Sequence, residues 1–241
     1  MVKIQKKVAI AQHRPVAILI DKSKSTTYIR AGLNRYANEA MRRMKENTEY
    51  RNVTEILAIQ FDTEPQVTAE FTRLDQTPSN ALTITESKGC TDTGKALLLA
   101  LELLDRKKEA CREDGETYYQ PVCFLLTDGN PDPGRDAPEH AVRDYERRYA
   151  EAAAQIRQRE QENKLTFIAA GLNVPNEKNP NMDKLRELST HPERIVELDA
   201  SDGNLKDIEK FFEVVVNATN ARPDRTPIDE LVDNSLGRGI R

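Results

Sequence analysis

The chain has 241 residues, 36 Lys and Arg against 40 Asp and Glu, a formal net charge of −4 and 38% hydrophobic residues. That near balance lacks the basic excess that phosphate contacts demand, so nucleic acid is not an expected partner. Apolar blocks recur along the chain, which separates it from a disordered acidic tail.

The elements read in order as an alternation of short apolar runs and longer amphipathic ones. Residues 15–20 (PVAILI) form a buried strand, and residues 53–61 (VTEILAIQF) a second. Between them Leu33, Tyr36, Ala37, Ala40, Met41 and Met44 fall on one face of a helix. Residues 66–71 read as a weaker, half-exposed strand. Residues 96–104 are apolar nearly all round, so they predict a mostly buried helix. Residues 122–126 (VCFLL) are a buried strand. Val142, Tyr145, Tyr149, Ala152 and Ile156 make one stripe on a highly charged helix over residues 139–163. Residues 165–170 are a further strand, Met182, Leu185 and Leu188 mark a short helix, and residues 194–198 are a last strand. Leu205, Ile208, Phe211, Phe212, Val215 and Val216 mark the last helix. The loops fall at residues 129–134 (GNPDPG) and 174–181.

Continuous apolar strands alternating with helices imply a mostly parallel sheet covered on both faces. The expected fold class is therefore α/β, a three-layer α/β/α sandwich around a six-stranded sheet. Residues 1–220 are expected to form the domain. Residues 221–241, where periodicity fades, are expected to be a C-terminal tail or arm. No apolar run approaches the roughly 20 residues of a membrane-spanning helix, so no membrane partner is expected. Three cysteines, with no CxxC pair among them, argue against both a disulfide framework and a zinc site and suit a reducing cytoplasm.

In an open parallel sheet, ligands bind beyond the carboxyl ends of the strands. The residues following the apolar runs are therefore the ones to inspect. After the first run comes Asp21-Lys22-Ser23-Lys24-Ser25, and after residues 122–126 comes Thr127-Asp128-Gly129. Before the buried helix comes Gly89-Cys90-Thr91-Asp92-Thr93-Gly94. The set offers carboxylates and hydroxyls, with no histidine. Hard oxygen donors of this kind suit Mg²⁺, Mn²⁺ or Ca²⁺.

Asp21-x-Ser23-x-Ser25, Thr91 and Thr127-Asp128-Gly129, in that order and after the right strands, resemble the metal-ion-dependent adhesion site of von Willebrand factor A domains. The likeness covers residues 12–219. Leu33-Asn34-Arg35-Tyr36 and Tyr118-Tyr119-Gln120-Pro121 are similar to the bacterial cytoplasmic, tellurite-resistance-associated branch of that family. The resemblance implies that Ser23, Ser25 and Thr91 offer hydroxyl oxygens to a Mg²⁺ (or Mn²⁺ or Ca²⁺) ion. It also implies that Asp21 and Asp128 bind the ion directly or through water. One coordination position is then left for an acidic residue of a protein partner. Such a partner would belong to a bacterial stress-response or phage-defence assembly, with a kinase or phosphatase system as a further candidate partner.

The family usually carries a small residue between the two serines, where this chain has Lys24, and Lys22 follows Asp21 directly. A competing reading lets the two ammonium groups attract the acidic partner without any metal. Lys22, Lys24 and Asp92 are accordingly the partner-contact candidates, with Lys22 and Lys24 expected at the solvent face. Asp62 reads as a turn residue after its strand. A metal-dependent phosphoryl-handling enzyme is a further alternative. Against it, the chain has no GxxxxGK[ST] loop, and Asp21-Lys22-Ser23 lacks the second carboxylate of a haloacid-dehalogenase-type phosphatase. The expected protein is an adaptor without enzymatic activity.

Overall fold

The computed structural model describes residues 13–47, 49–128, 132–134, 136–174, 180–200, 205–221 and 228–236. Six strands form one sheet: β1 (Arg14–Asp21), β2 (Thr54–Phe61), β3 (Pro65–Arg73), β4 (Val122–Thr127), β5 (Thr166–Asn173) and β6 (Ile195–Asp199). Their spatial order is β3-β2-β1-β4-β5-β6, all parallel except the β2–β3 pair. The six-stranded, mostly parallel sheet with flanking helices is thus observed.

Strand side chains alternate between faces, so each buried strand feeds two cores. Val16, Ile18 and Ile20 of β1 enter one core with Phe124 and Leu126 of β4. Leu33, Ala37, Met41 and Met44 of α1 (Arg30–Glu46) and Phe211 and Val215 of α5 (Lys206–Asn220) cover that face. Ala17 and Leu19 enter the other core with Cys123 and Leu125. Its cover is α2 (Thr93–Glu113), α3 (Glu139–Gln161) and α4 (Met182–Arg186), through Leu97, Leu101, Tyr149, Ile156 and Leu185. Each fully buried Val, Leu, Ile, Phe or Met among them contributes about 1.5–3 kcal/mol.

Helix α2 runs nine residues beyond the apolar stretch that predicts it. Its second half, from Asp105, is rich in charge, but Lys108 and Cys111 still turn inward and Lys108 pairs with Asp105 at 2.7 Å. The predicted arm contains a helix, α6 (Ile228–Leu236), that packs on α5. Val232 is buried there, and the Arg194 guanidinium grips Asp229 through two bonds of 2.6 and 3.1 Å. Arg14, at the amino end of β1, donates to the carbonyls of Ala218 and Thr219 and so satisfies the last turn of α5. The stretches of the predicted arm at residues 222–227 and 237–241 lie outside the described residues, as do residues 129–131, most of the loop after β5, and residues 1–12.

Candidate functional site

The chain leaves β1 toward one side of the sheet, to β2 and β3, and returns on the other through β4, β5 and β6. β1 and β4 are therefore the neighbours at which the winding reverses, and a crevice opens above their carboxyl ends. Their register pairs Ile20 with Leu126. It follows that Asp21 and Asp128 emerge side by side, each just as its strand ends.

Asp21 is fully buried. Its Oδ1 accepts the backbone N–H of Ser23 at 2.8 Å, and its Oδ2 accepts the Thr127 hydroxyl at 2.7 Å. The hydroxyls of Ser23 and Ser25 lie 2.9 Å apart, and the Ser25 hydroxyl donates to Asp128 Oδ2. Thr127, Asp21, Ser23, Ser25 and Asp128 thus form one continuous chain of polar contacts. Burial, and next the charge of Asp128, push the Asp21 carboxyl up to about 7 against the opposing hydrogen bonds from Ser23 and Thr127.

Thr91 is buried at the start of α2, with its backbone paired in both directions to Asp132 at 3.0 and 3.1 Å. Among the described hydrogen bonds, none joins its hydroxyl to the other four residues. The backbone ties its loop to theirs instead. Lys88 N–H donates to the Lys22 carbonyl at 3.1 Å, and Lys24 N–H to the Gly89 carbonyl at 3.4 Å. Gly89 takes φ +76°, and a Cβ there would stand 2.9 Å from the Thr63 hydroxyl in the turn between β2 and β3, so this backbone conformation favours a glycine.

Two of the three predicted partner contacts, Lys22 and Asp92, lie inside the protein rather than at its surface. The Lys22 side chain is buried, with its ammonium 3.2 Å from Asp62 Oδ2. It follows Asp21 at the end of a strand packed on both sides, where an unpaired charge would be too costly to bury. Asp92 is buried as well. It caps α2 by accepting Lys95 N–H at 2.9 Å and takes the Arg148 guanidinium of α3 at 2.5 Å. Lys24 is exposed, as expected.

Asp62 does serve the turn, accepting Glu64 N–H at 3.0 Å. It does more than that. Its carboxylate holds Lys22, which lies between Asp21 and Ser23, and its carbonyl accepts Asp92 N–H, next to Thr91, at 2.9 Å. One residue therefore links two of the site's loops. The signal was in the sequence: Asp62 follows an apolar strand directly, as Asp21 and Asp128 do. His13 sits at the far end of β1, between Glu55 at 2.9 Å and Glu116, remote from this edge.

The donor set suits a hard divalent cation. Two carboxylates close enough to perturb each other gain from a shared cation, and the neutral hydroxyls beside them add oxygen ligands without adding charge. Among the described residues no group of three or more His, Cys, Asp or Glu could hold a metal. Hydroxyl ligation is therefore what a cation would require here.

The von Willebrand factor type A domain family matches residues 16–211. No curated protein matches the chain. Among solved structures, the pilus adhesin SpaC from Lactobacillus rhamnosus GG is similar with a TM-score of 0.64 and 12% identity, over 87% of this chain and 31% of its own. The domain of the type V pili tip protein Mfa5 from Porphyromonas gingivalis has a TM-score of 0.58 and 11% identity, over 89% and 98%. Proximal thread matrix protein 1 from the mussel byssus, solved with a zinc-occupied metal-ion-dependent adhesion motif, has a TM-score of 0.54 and 14% identity, over 87% and 48%. This chain thus spans about half of the mussel structure and a third of SpaC, and at these identities the likeness is one of fold.

Proposed function

The chain belongs to the von Willebrand factor type A domain family, and from that premise we propose that it is a non-enzymatic binding module whose carboxyl-edge site holds a divalent cation and receives an acidic side chain of a protein partner. The observation that carries this reading is the contact chain from Asp21 through Ser23 and Ser25 to Asp128. Asp21, Ser23, Ser25 and Asp128 would hold the ion, with Thr91 beside them. Mg²⁺ fits such oxygen donors best, with Mn²⁺ and Ca²⁺ as substitutes. The ion would supply a positive charge that the hydroxyls leave under-compensated, and a partner's carboxylate completes the balance.

The protein's own part is to hold these oxygens in place. Thr127 and the Ser23 amide fix Asp21, and the Ser25 hydroxyl fixes Asp128. The zinc-occupied motif of the mussel protein and the pilus proteins among the structural neighbours support a binding role. The likeness of residues 33–36 and 118–121 to the tellurite-resistance-associated branch supports a partner in a cytoplasmic bacterial stress-response or defence assembly.

Isothermal titration with Mg²⁺ and Mn²⁺ tests the site. The wild type is expected to bind, and Asp21→Ala and Asp128→Ala are expected to lose the heat while retaining a cooperative unfolding transition. Absence of binding by the wild type at millimolar metal would overturn the metal reading.

A further inference from the structure

The lysines around the site differ in one respect. Lys22 pairs with Asp62, Lys88 with Glu86 at 2.8 Å, and Lys95 with Glu64 at 2.6 Å. Among the described residues no carboxylate lies within ion-pair distance of the Lys24 ammonium, and Lys24 is exposed. Its place on the rim is set by its neighbours. It stands between Ser23 and Ser25, whose hydroxyls face inward to each other and to Asp128.

Four residues on is Tyr28, 70% exposed; among the described residues the other exposed large hydrophobic is Val67, on the edge strand β3. Tyr28 ends a 3-10 turn, Lys24–Tyr28, that is braced from within. The Thr26 hydroxyl donates to the Ser23 carbonyl at 2.8 Å, the Thr27 hydroxyl to the Lys24 carbonyl at 2.6 Å, and Ile29 N–H to the Thr26 carbonyl at 3.2 Å. Thr26 also meets the Ser87 hydroxyl of the neighbouring loop at 3.3 Å. The backbone that carries both exposed side chains is thus ordered before any partner arrives, which lowers the entropy cost of contact. An exposed Tyr on a fixed turn beside a charged site has the makings of an interface anchor.

We propose that Lys24 and Tyr28 form a specificity rim selecting an acidic peptide segment: one carboxylate reaches the cation, a second acidic side chain meets Lys24, and a neighbouring apolar or aromatic side chain packs on Tyr28. The inference rests on the metal-site reading of the preceding subsection. The two lysines of the Asp-Lys-Ser-Lys-Ser run then divide their work, with Lys22 inward on Asp62 and Lys24 outward on the partner.

The test is a displayed library of random peptides with one fixed central Asp, selected on the full chain in Mg²⁺. Wild type is expected to enrich a second Asp or Glu and an aromatic or large aliphatic residue near the fixed position. Lys24→Gly is expected to lose the acidic enrichment, weaken the best peptide about threefold to fivefold and flatten its salt dependence. Tyr28→Ala is expected to lose the apolar enrichment and weaken the same peptide about tenfold. Both positions are exposed, so both variants should fold as the wild type does. If wild type enriches peptides in a manner abolished by chelator and by Asp128→Ala, yet both rim variants select the same sequences, the rim proposal fails while the metal reading stands. If wild type binds Mg²⁺ by titration yet enriches nothing, the rim proposal fails alone; if chelator changes nothing, the metal reading fails and the rim proposal falls with it.

Discussion

Lys22 shows how far a residue's surroundings can reverse its meaning. Beside Asp21 it would oppose a bound dication, but Asp62 neutralises it at 3.2 Å inside the protein. The pair is thus electrically silent toward the site, and breaking it on one side or the other acts in opposite directions. Lys22→Met leaves the Asp62 charge uncompensated near the cation. At a separation of roughly 10 Å and an effective dielectric of about 40, one unit charge changes a dication's energy by about 1.7 kcal/mol. Mg²⁺ affinity should rise roughly tenfold. Asp62→Asn leaves the lysine charge unmatched, so affinity should fall by a similar factor and stability by about 3–5 kcal/mol. Calorimetric titration of the two variants checks the signs, and a purely structural role would weaken binding in both. That Asp21, Ser23, Ser25 and Asp128 meet at one edge of the sheet was legible in the sequence, because motif order and strand ends place them there. The inward turn of Lys22 was not legible, because its partner is 40 positions away, in the turn that follows another strand.

At the scale of elements, α2 and α3 approach so closely that Gly94 is required. A Cβ there would lie 2.5 Å from the Tyr149 amide and 2.7 Å from the Arg148 carbonyl carbon, both backbone atoms that cannot swing aside. Arg148 reaches from the same contact to Asp92, stacking its guanidinium over Tyr145 at 4.8 Å. The start of α2, and Thr91 just before it, are therefore seated by α3. Gly94→Ala is expected to cost about 1–3 kcal/mol, lowering the melting temperature by about 2–10 °C and weakening Mg²⁺ binding at the same time; thermal denaturation with and without metal measures both. The sequence showed the existence of these helices through their apolar stripes, but it understated the length of α2. The charged second half hides Lys108 and Cys111, which are buried only because α2 lies against the sheet and α3.

At the scale of the whole molecule, the two edges of the sheet carry different tasks. The carboxyl edge holds the candidate site. At the amino edge Arg14, Val122, Thr166, Glu160, Asp229 and Leu231 line a cavity of about 340 Å³ beneath α6. Truncation after Ala221 removes α6, which contributes the burial of Val232 and the partner of Arg194. The truncated protein is expected to lose about 1.5–3 kcal/mol of stability, seen as a lower melting temperature, while its heat of Mg²⁺ binding at the other edge stays unchanged. The parallel sheet could be read from alternating apolar runs. The docking of α6 could not: Ile228, Leu231, Val232 and Leu236 stand at helical spacing, but so short a stripe does not say which surface it packs on, and among the described residues it is Val232, Leu231 and the Arg194–Asp229 pair that seat it.

The placement of Asp21 and Asp128 on adjacent strands also decides how the molecule would bear a load. A pull transmitted through a partner's carboxylate would reach β1 and β4 together, the two strands at the middle of the sheet, each flanked on both sides. A pull along the strand direction loads the hydrogen bonds of a parallel ladder in shear, many at once rather than one after another. A tether attached here would hang from the stiffest part of the fold, and the edge strands β3 and β6 would carry little of the tension.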